Sequence, residues 1–222
     1  MKKYLQSILE KTRGPAALSF SYQAEDVAAL HLTLSSGYDA LEVFTLNTLK
    51  SFPETEDFHR EVERFFQITI RAYSPDTKET AQLEADLGEW GMRDSLENRH
   101  RCCQVRKVNQ LARALAGKSA WITGLRRAQS ITRAELPVLE YDEQYGLFKI
   151  NPLFDWSDAK LALYIEENSL PVHPLYAQGF KSIGCAPCTR AVKDGEDIRA
   201  GRWWWENPEH KECGLHIKGG RA

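Results

Sequence analysis

Five cysteines set the chemistry open to this chain: Cys102 and Cys103 side by side, Cys185 and Cys188 as a C-x-x-C, and Cys213 alone. Four thiolates can close one metal or cluster site, which leaves one sulfur free to react. Taken alone, Cys185-Ala186-Pro187-Cys188 suits a redox pair, half of a zinc site or half of an iron–sulfur site. A thioredoxin-type pair sits at the start of a helix, early in a βαβ unit. This one comes late, beyond Gly179 and Gly184, and a second pair stands at Cys102-Cys103, so a four-cysteine site is preferred. Two adjacent cysteines fit one tetrahedral zinc poorly. Spacing therefore leans towards a cluster and leaves zinc open.

Cys102 and Cys103 begin a helical stretch, where residues four apart share a face. Arg106 is then expected over Cys102 and Lys107 over Cys103, each able to favour the thiolate; a solvated helix charge is the plainer alternative for Lys107. Cys213 lies between Pro208 and Gly214 without apolar periodicity, which suits an exposed, mobile thiol, with Lys211 and His216 nearby to favour its ionised form. Arg199, Arg202, Lys211 and His216 flank it, and Arg126-Arg127 follow another strand. That is more cationic density than the formal net charge of −2 suggests, and it suits a multiply charged anion. For any single arginine, scattered surface charge is the competing account. Ser19-Phe20-Ser21-Tyr22-Gln23-Ala24-Glu25-Asp26 joins a strand to a helix, so its hydroxyls and the helix N-terminal amides could hold a phosphate. Glu25 and Asp26 equally suit a first helical turn. Trp203-Trp204-Trp205 is read as a packing plug for a loop-rich tail.

The elements that must position these residues follow from periodicity. Helices are expected through Tyr4–Leu9, Ala24–Leu34, Pro53–Phe66, Arg101–Leu115 and Ser157–Glu167, with a weaker helical pattern over Pro75–Asn98 broken at Gly88 and Gly91. Strands are expected at Ala16–Ser21, Leu41–Leu46, Gln67–Tyr73 and Ser119–Thr123, then a hairpin at Val138–Tyr141 and Leu147–Ile150. Alternating strands and helices predict an α/β fold: a parallel sheet covered by helices on both faces, with ligands at the carboxyl ends of its strands. The loops there are Ser21–Glu25, Asn47–Phe52 and Gly124–Ser130.

The 222 residues, 42% apolar and 27% charged, suffice for one well-buried domain. The slightly acidic balance argues against a nucleic-acid partner. No run approaches a membrane span, and the N-terminus lacks the apolar core of a secretory signal. The odd cysteine count points to a reducing, cytoplasmic setting.

These motifs together resemble one family, the assimilatory adenylyl-sulfate (adenosine 5′-phosphosulfate, APS) reductases. Cys102-Cys103-x-x-Arg106-Lys107 is similar to the family's CC-x-x-R-K. Gly184-Cys185-Ala186-Pro187-Cys188-Thr189-Arg190 is similar to its G-C-x-P-C-T-R. Gly201–Trp205 resembles G-R-W-W-W, Glu212–His216 resembles E-C-G-[LI]-H, and Thr123–Ser130 resembles T-G-x-R-R-x-Q-S. There are departures. The loop after the second strand reads Leu46-Asn47-Thr48-Leu49-Lys50-Ser51, where the family often has L-D-T-G-R-L. Gln23 stands where many members have glycine.

The resemblance implies a fold related to the PP-loop, adenine-nucleotide α-hydrolase-like enzymes. It implies a [4Fe–4S] cluster on Cys102, Cys103, Cys185 and Cys188, and a nucleophile at Cys213. The substrate set is expected to be Ser19, Ser21, Glu25, Asp26, Lys107, Arg126, Arg127, Arg199, Arg202 and His216. Residues 1–205 would form the nucleotide and iron–sulfur domain, and 206–222 a mobile segment carrying Cys213. The expected reaction is thioredoxin- or glutaredoxin-dependent reduction of APS to sulfite and AMP through an S-sulfocysteine, by a homo-oligomer. The chain is read without the fused thioredoxin-like domain of plant members, so an external reductant is expected. A reductase of 3′-phosphorylated APS, or of both substrates, is the main alternative; reductases of the 3′-phosphorylated form typically lack the cluster cysteines. An ATP-dependent tRNA-thiolating enzyme would need S-G-G-x-D-S where Ser19–Asp26 stand, and a redox sensor would need neither nucleotide crevice nor fifth cysteine.

Overall fold

The computed structural model describes residues 2–130 and 133–207; Cys213, His216 and all but the first two residues of the expected segment 206–222 lie outside them. Among the described residues the strands are β1 (Ala16–Ser19), β2 (Leu41–Leu46), β3 (Ile70–Tyr73), β4 (Ala120–Ile122), β5 (Leu139–Asp142) and β6 (Leu147–Ile150). They form one sheet in the order β3-β2-β1-β4-β6-β5. Every pairing is parallel except the β5–β6 hairpin. The mostly parallel α/β sheet is the expected fold class.

The α-helices are α1 (Lys2–Lys11), α2 (Ala24–Leu34), α3 (Pro53–Phe66), α4 (Thr77–Leu87), α5 (Leu96–Cys103), α6 (Asn109–Leu115) and α7 (Asp158–Glu167). One face of the sheet presents Ala16, Leu18, Val43, Ile70, Ile122 and Ile150 to Leu5 and Leu9 of α1, Val27 and Leu30 of α2, Phe58 and Val62 of α3, and Leu161 of α7. The other presents Ala17, Phe44, Trp121 and Leu147 to Leu111 and Leu115 of α6. Burial on both faces explains why the strands read as near-continuous apolar runs. None of these helices is long and apolar enough to cross a membrane.

Local chemistry sets the ends. Pro53 opens α3 with its fixed φ, and the side chains of Asp76, Ser95 and Ser157 cap α4, α5 and α7. Gln67 stops α3 in a left-handed conformation, φ 54°, so β3 starts at Ile70 rather than Gln67. The single helix expected over Arg101–Leu115 is instead α5, a π-turn at Gln104–Val108 and α6. The sheet runs outward from β1 through β2 to β3, then resumes on the other flank of β1 with β4. That reversal opens a crevice at the carboxyl ends of β1 and β4.

Candidate functional site

The loop after β1 is folded back on itself. Tyr22 takes φ 66°, and Ser21 donates from both its backbone N and its Oγ to Asp26 Oδ2, at 2.7 and 2.6 Å. Burial drives the Asp26 carboxyl up to about 7, with the two Ser21 bonds pulling the other way. Gly124, after β4, lies against this turn: a Cβ there would fall 2.5 Å from Asp26 Oδ1 and 3.0 Å from its backbone N. Only glycine lets the two loops approach so closely.

Over these strand ends lies a cleft with a cavity volume of about 170 Å3. Its walls include Ser19, Ser21, Gln23, Glu25 and Asp26 from the first loop, and Thr48 and Ser51 from the second. Lys107 reaches it from the π-turn, and Lys181, Ser182, Arg199 and Arg202 from the C-terminal stretch. Arg202 is buried. Its Nη1 donates to Ser182 Oγ and Ile183 O, and its Nε has no hydrogen-bond partner among the described residues. Gly184 makes room for it, since a Cβ would meet the guanidinium carbon at 2.4 Å. Ser182 Oγ in turn donates to Gln23 Oε1 at 3.1 Å, so the residue that departs from glycine ties the first loop to the far wall.

The arginine pair after β4 does not line this cleft. Arg126 is buried behind it. Its guanidinium donates to Glu25 Oε1 at 2.7 Å, Asp158 Oδ1 at 2.7 Å and Trp156 O at 2.9 Å, clamping α2 to α7. Arg127 donates to Leu136 O and lies over the Phe154 ring. Of the expected substrate set, Ser19, Ser21, Glu25, Asp26, Lys107, Arg199 and Arg202 meet in the cleft, and His216 falls outside the described residues.

A second, smaller cavity is lined by Cys102, Cys103, Cys185 and Cys188 with Lys50, Arg99, Arg106 and Lys107, and among the described residues by no carboxylate. Burial pushes Cys102 up and Cys188 up to about 11; the Cys185 charge adds to both, and Lys107 pulls both down. Arg106 stands beside Cys102, as four-residue spacing expects, and also donates to Thr48 O and Glu84 Oε1. Among the described residues, no group of three or more His, Cys, Asp or Glu is arranged to hold a single metal ion.

The loop after β2 joins the two cavities. Thr48 Oγ1 lies 3.3 Å from Cys185 Sγ, and Lys50 O accepts from Ala186 N at 2.7 Å. Sequence reasoning missed Thr48, Lys181 and Ser182. A lysine and a serine directly before the Gly184-Cys185 motif were the available signal; Thr48 had none beyond its position in a strand-end loop.

Residues 15–191 match the family model described as the phosphoadenosine phosphosulfate reductase domain. The chain is similar to the adenosine 5′-phosphosulfate reductase of Allochromatium vinosum, 52% identical over 176 residues, covering 79% of this chain and 69% of that one. It is similar to that of Rhizobium tropici, 49% identical and covering 78% and 96%, and to that of Neisseria meningitidis serogroup A, 45% identical and covering 97% and 88%. The structure resembles phosphoadenylyl-sulfate reductase from Candida auris in its phosphate complex, with TM-score 0.69 and 28% identity, covering 86% of this chain and 90% of that one. Yeast FAD synthetase shares the fold at 16% identity, with TM-score 0.62 and coverage of 86% and 64%.

Proposed function

The chain belongs to the phosphoadenosine phosphosulfate reductase family, and on that premise we propose that it reduces adenosine 5′-phosphosulfate to sulfite and AMP. The names of the curated relatives it resembles support this substrate. The observation that carries the reading is a shared wall: Lys107, Cys185 and Trp203 line both the strand-end cleft and the four-cysteine cavity. An anion bound in the cleft therefore lies next to the cysteine site and within the field of Lys107, Arg199 and Arg202.

The proposed step begins with the Cys213 thiolate attacking the sulfur of bound APS. An S–S bond forms, the S–O bond to the phosphate breaks, and AMP leaves with the electron pair. Cys213 then carries a sulfonate as S-sulfocysteine. A thiolate of thioredoxin or glutaredoxin attacks the Cys213 sulfur, and sulfite departs with the electrons of the S–S bond. A disulfide remains, which the donor's second thiol resolves. Two easier displacements replace one difficult reduction. Lys107, Arg199 and Arg202 would neutralise phosphate and sulfonate oxygens, and Ser19 and Ser21 would orient them. Residues 206–222 would act as a separate segment that brings Cys213 to the cleft and exposes it to the donor. A cytoplasmic setting and assembly of like subunits belong to the same reading.

Cys102, Cys103, Cys185 and Cys188 would hold a [4Fe–4S] cluster. Four soft sulfur donors around one cavity, with Arg99, Arg106 and Lys107 to offset negative charge, suit it. When bound, the cluster supplies a fixed local field and a tie between the end of α5 and the Cys185–Cys188 turn.

The test is sulfite release from APS, and from its 3′-phosphate, with thioredoxin present. Faster release from APS is expected; with thioredoxin left out, 35S from labelled APS should be retained on the wild-type chain and absent from Cys213→Ser. A labelled Cys213→Ser chain would remove the nucleophile assignment, and preference for the 3′-phosphate would reassign the substrate. Colourless anaerobic protein carrying one zinc would overturn the cluster.

A further inference from the structure

Trp121 is almost wholly buried, 1% exposed, in the middle of β4. Its indole Nε1 donates to Ser19 Oγ at 2.9 Å, across the β1–β4 pairing. The ring is held from two sides by the hairpin: Tyr145 meets it edge-on at 6.0 Å, and Lys149 Nζ lies 5.1 Å from its centre. Lys149 is itself buried and ion-paired with Glu140 at 3.4 Å. Indole is a donor only, whereas a serine hydroxyl has one proton to give and two lone pairs to fill. With one lone pair occupied by the indole, the Ser19 proton is turned away from Trp121. Among the described residues it donates to no protein acceptor, and Ser19 lines the cleft.

We propose that Trp121 is a positioning residue that commits the Ser19 hydroxyl to donating into the cleft, to an anionic oxygen of the bound nucleotide. This rests on the reading of the cleft as the nucleotide site. A serine without that partner can rotate, or accept from the ligand's own hydroxyls; one fixed by an indole presents a preoriented proton to phosphate or sulfonate. The hairpin thereby reaches the site without touching substrate, through Lys149 and Tyr145 on the indole.

The experiment is a double-mutant cycle on AMP binding, measured by calorimetry for the wild-type chain, Ser19→Ala, Trp121→Phe and the pair. Ser19→Ala is expected to weaken AMP about tenfold, as loss of one hydrogen bond to a charged group does. Trp121→Phe should weaken it severalfold, and the pair should be no weaker than Ser19→Ala alone. Losses that multiply, or a Trp121→Phe chain that binds like wild type, would overturn the relay. Should Trp121→Phe fail to fold, the Trp121 indole N–H resonance gives the answer in the intact chain. AMP should shift it in wild type and leave it in place in Ser19→Ala, and an equal shift in both would overturn the proposal. A wild-type chain that binds no AMP would instead remove the nucleotide reading on which the inference rests.

Discussion

Arg93 donates from Nε and Nη2 to the carbonyl oxygen of Pro187, at 3.3 and 2.6 Å. Pro187 sits between Cys185 and Cys188, so the guanidinium anchors the turn that presents both sulfurs. Three indoles surround the cation: Trp90, Trp204 and Trp205 lie 4.3, 4.7 and 5.1 Å from it. The tryptophan run that reads as a packing plug thus also holds the residue that holds the cysteine turn. Arg93→Ala removes a charged hydrogen bond and these ring contacts together, and is expected to cost about 2 kcal/mol. Denaturant unfolding reads the cost, and iron per chain should fall with it. Unchanged values of both would show that the turn stands without Arg93.

Leu49 occupies a position that most side chains avoid. Its φ is 61°, its side chain is 52% exposed, and its backbone N donates to Asn47 Oδ1 at 3.1 Å. Asn47 holds the turn, and leucine occupies a left-handed conformation that favours glycine. The left-handed conformation costs a side-chain-bearing residue about 1–2 kcal/mol, against roughly 0.5–1 kcal/mol of extra chain entropy for glycine. Leu49→Gly should therefore stabilise the chain by about 0.5–1 kcal/mol. A thermal midpoint that falls would mean that leucine packs on something of value.

Asp26 links stability to pH. An aspartate ordinarily ionises near 3.8, and burial raises this one to about 7. Between those values the folded chain keeps a proton that the unfolded chain has lost. The contribution of this group to stability therefore falls as pH rises through that window, and its cost is complete above pH 7. Asp26→Asn keeps the shape and cannot ionise. The variant should gain on the wild type as pH rises from 4 to 7, by on the order of 3 kcal/mol. Urea midpoints across pH 4.5–8 check the slope, and a constant difference would assign the titration to another group.

Much of this frame was legible because the central strands are covered on both faces, so Ala16–Ser19 and Leu41–Leu46 stand out as apolar runs between polar loops. The helix starts were legible where Pro53 and Ser157 give local signals. The strand order was not, because nothing local states on which flank of β1 the strand at Ala120 will pair. Nor was the use of Arg126. Two arginines at a strand end look alike in sequence, yet Arg126 is consumed by Glu25 and Asp158, partners distant in the chain. The π-turn at Gln104–Val108 has no propensity signature; its residues read as ordinary helix, and only the packed cysteine cavity reveals the wider turn.

That π-turn bears on Lys107. Asn109 N donates to Gln104 O, five residues back rather than four, and such widened turns recur at functional sites. Lys107 is carried on the widened turn. It lines both cavities, and its charge acts on Cys102 and Cys188 together. In the proposed displacement, a cation at that shared wall would stabilise charge that develops on the leaving phosphate, where one such group is worth roughly 10²–10³ in rate. Lys107→Ala should therefore slow labelling of Cys213 by 35S-APS about 10²-fold, while iron per chain and the visible absorption hold. Lys107→Arg, which keeps the charge, should recover part of the rate. Lost iron with an undiminished labelling rate per cluster would make Lys107 a support for the cysteines instead.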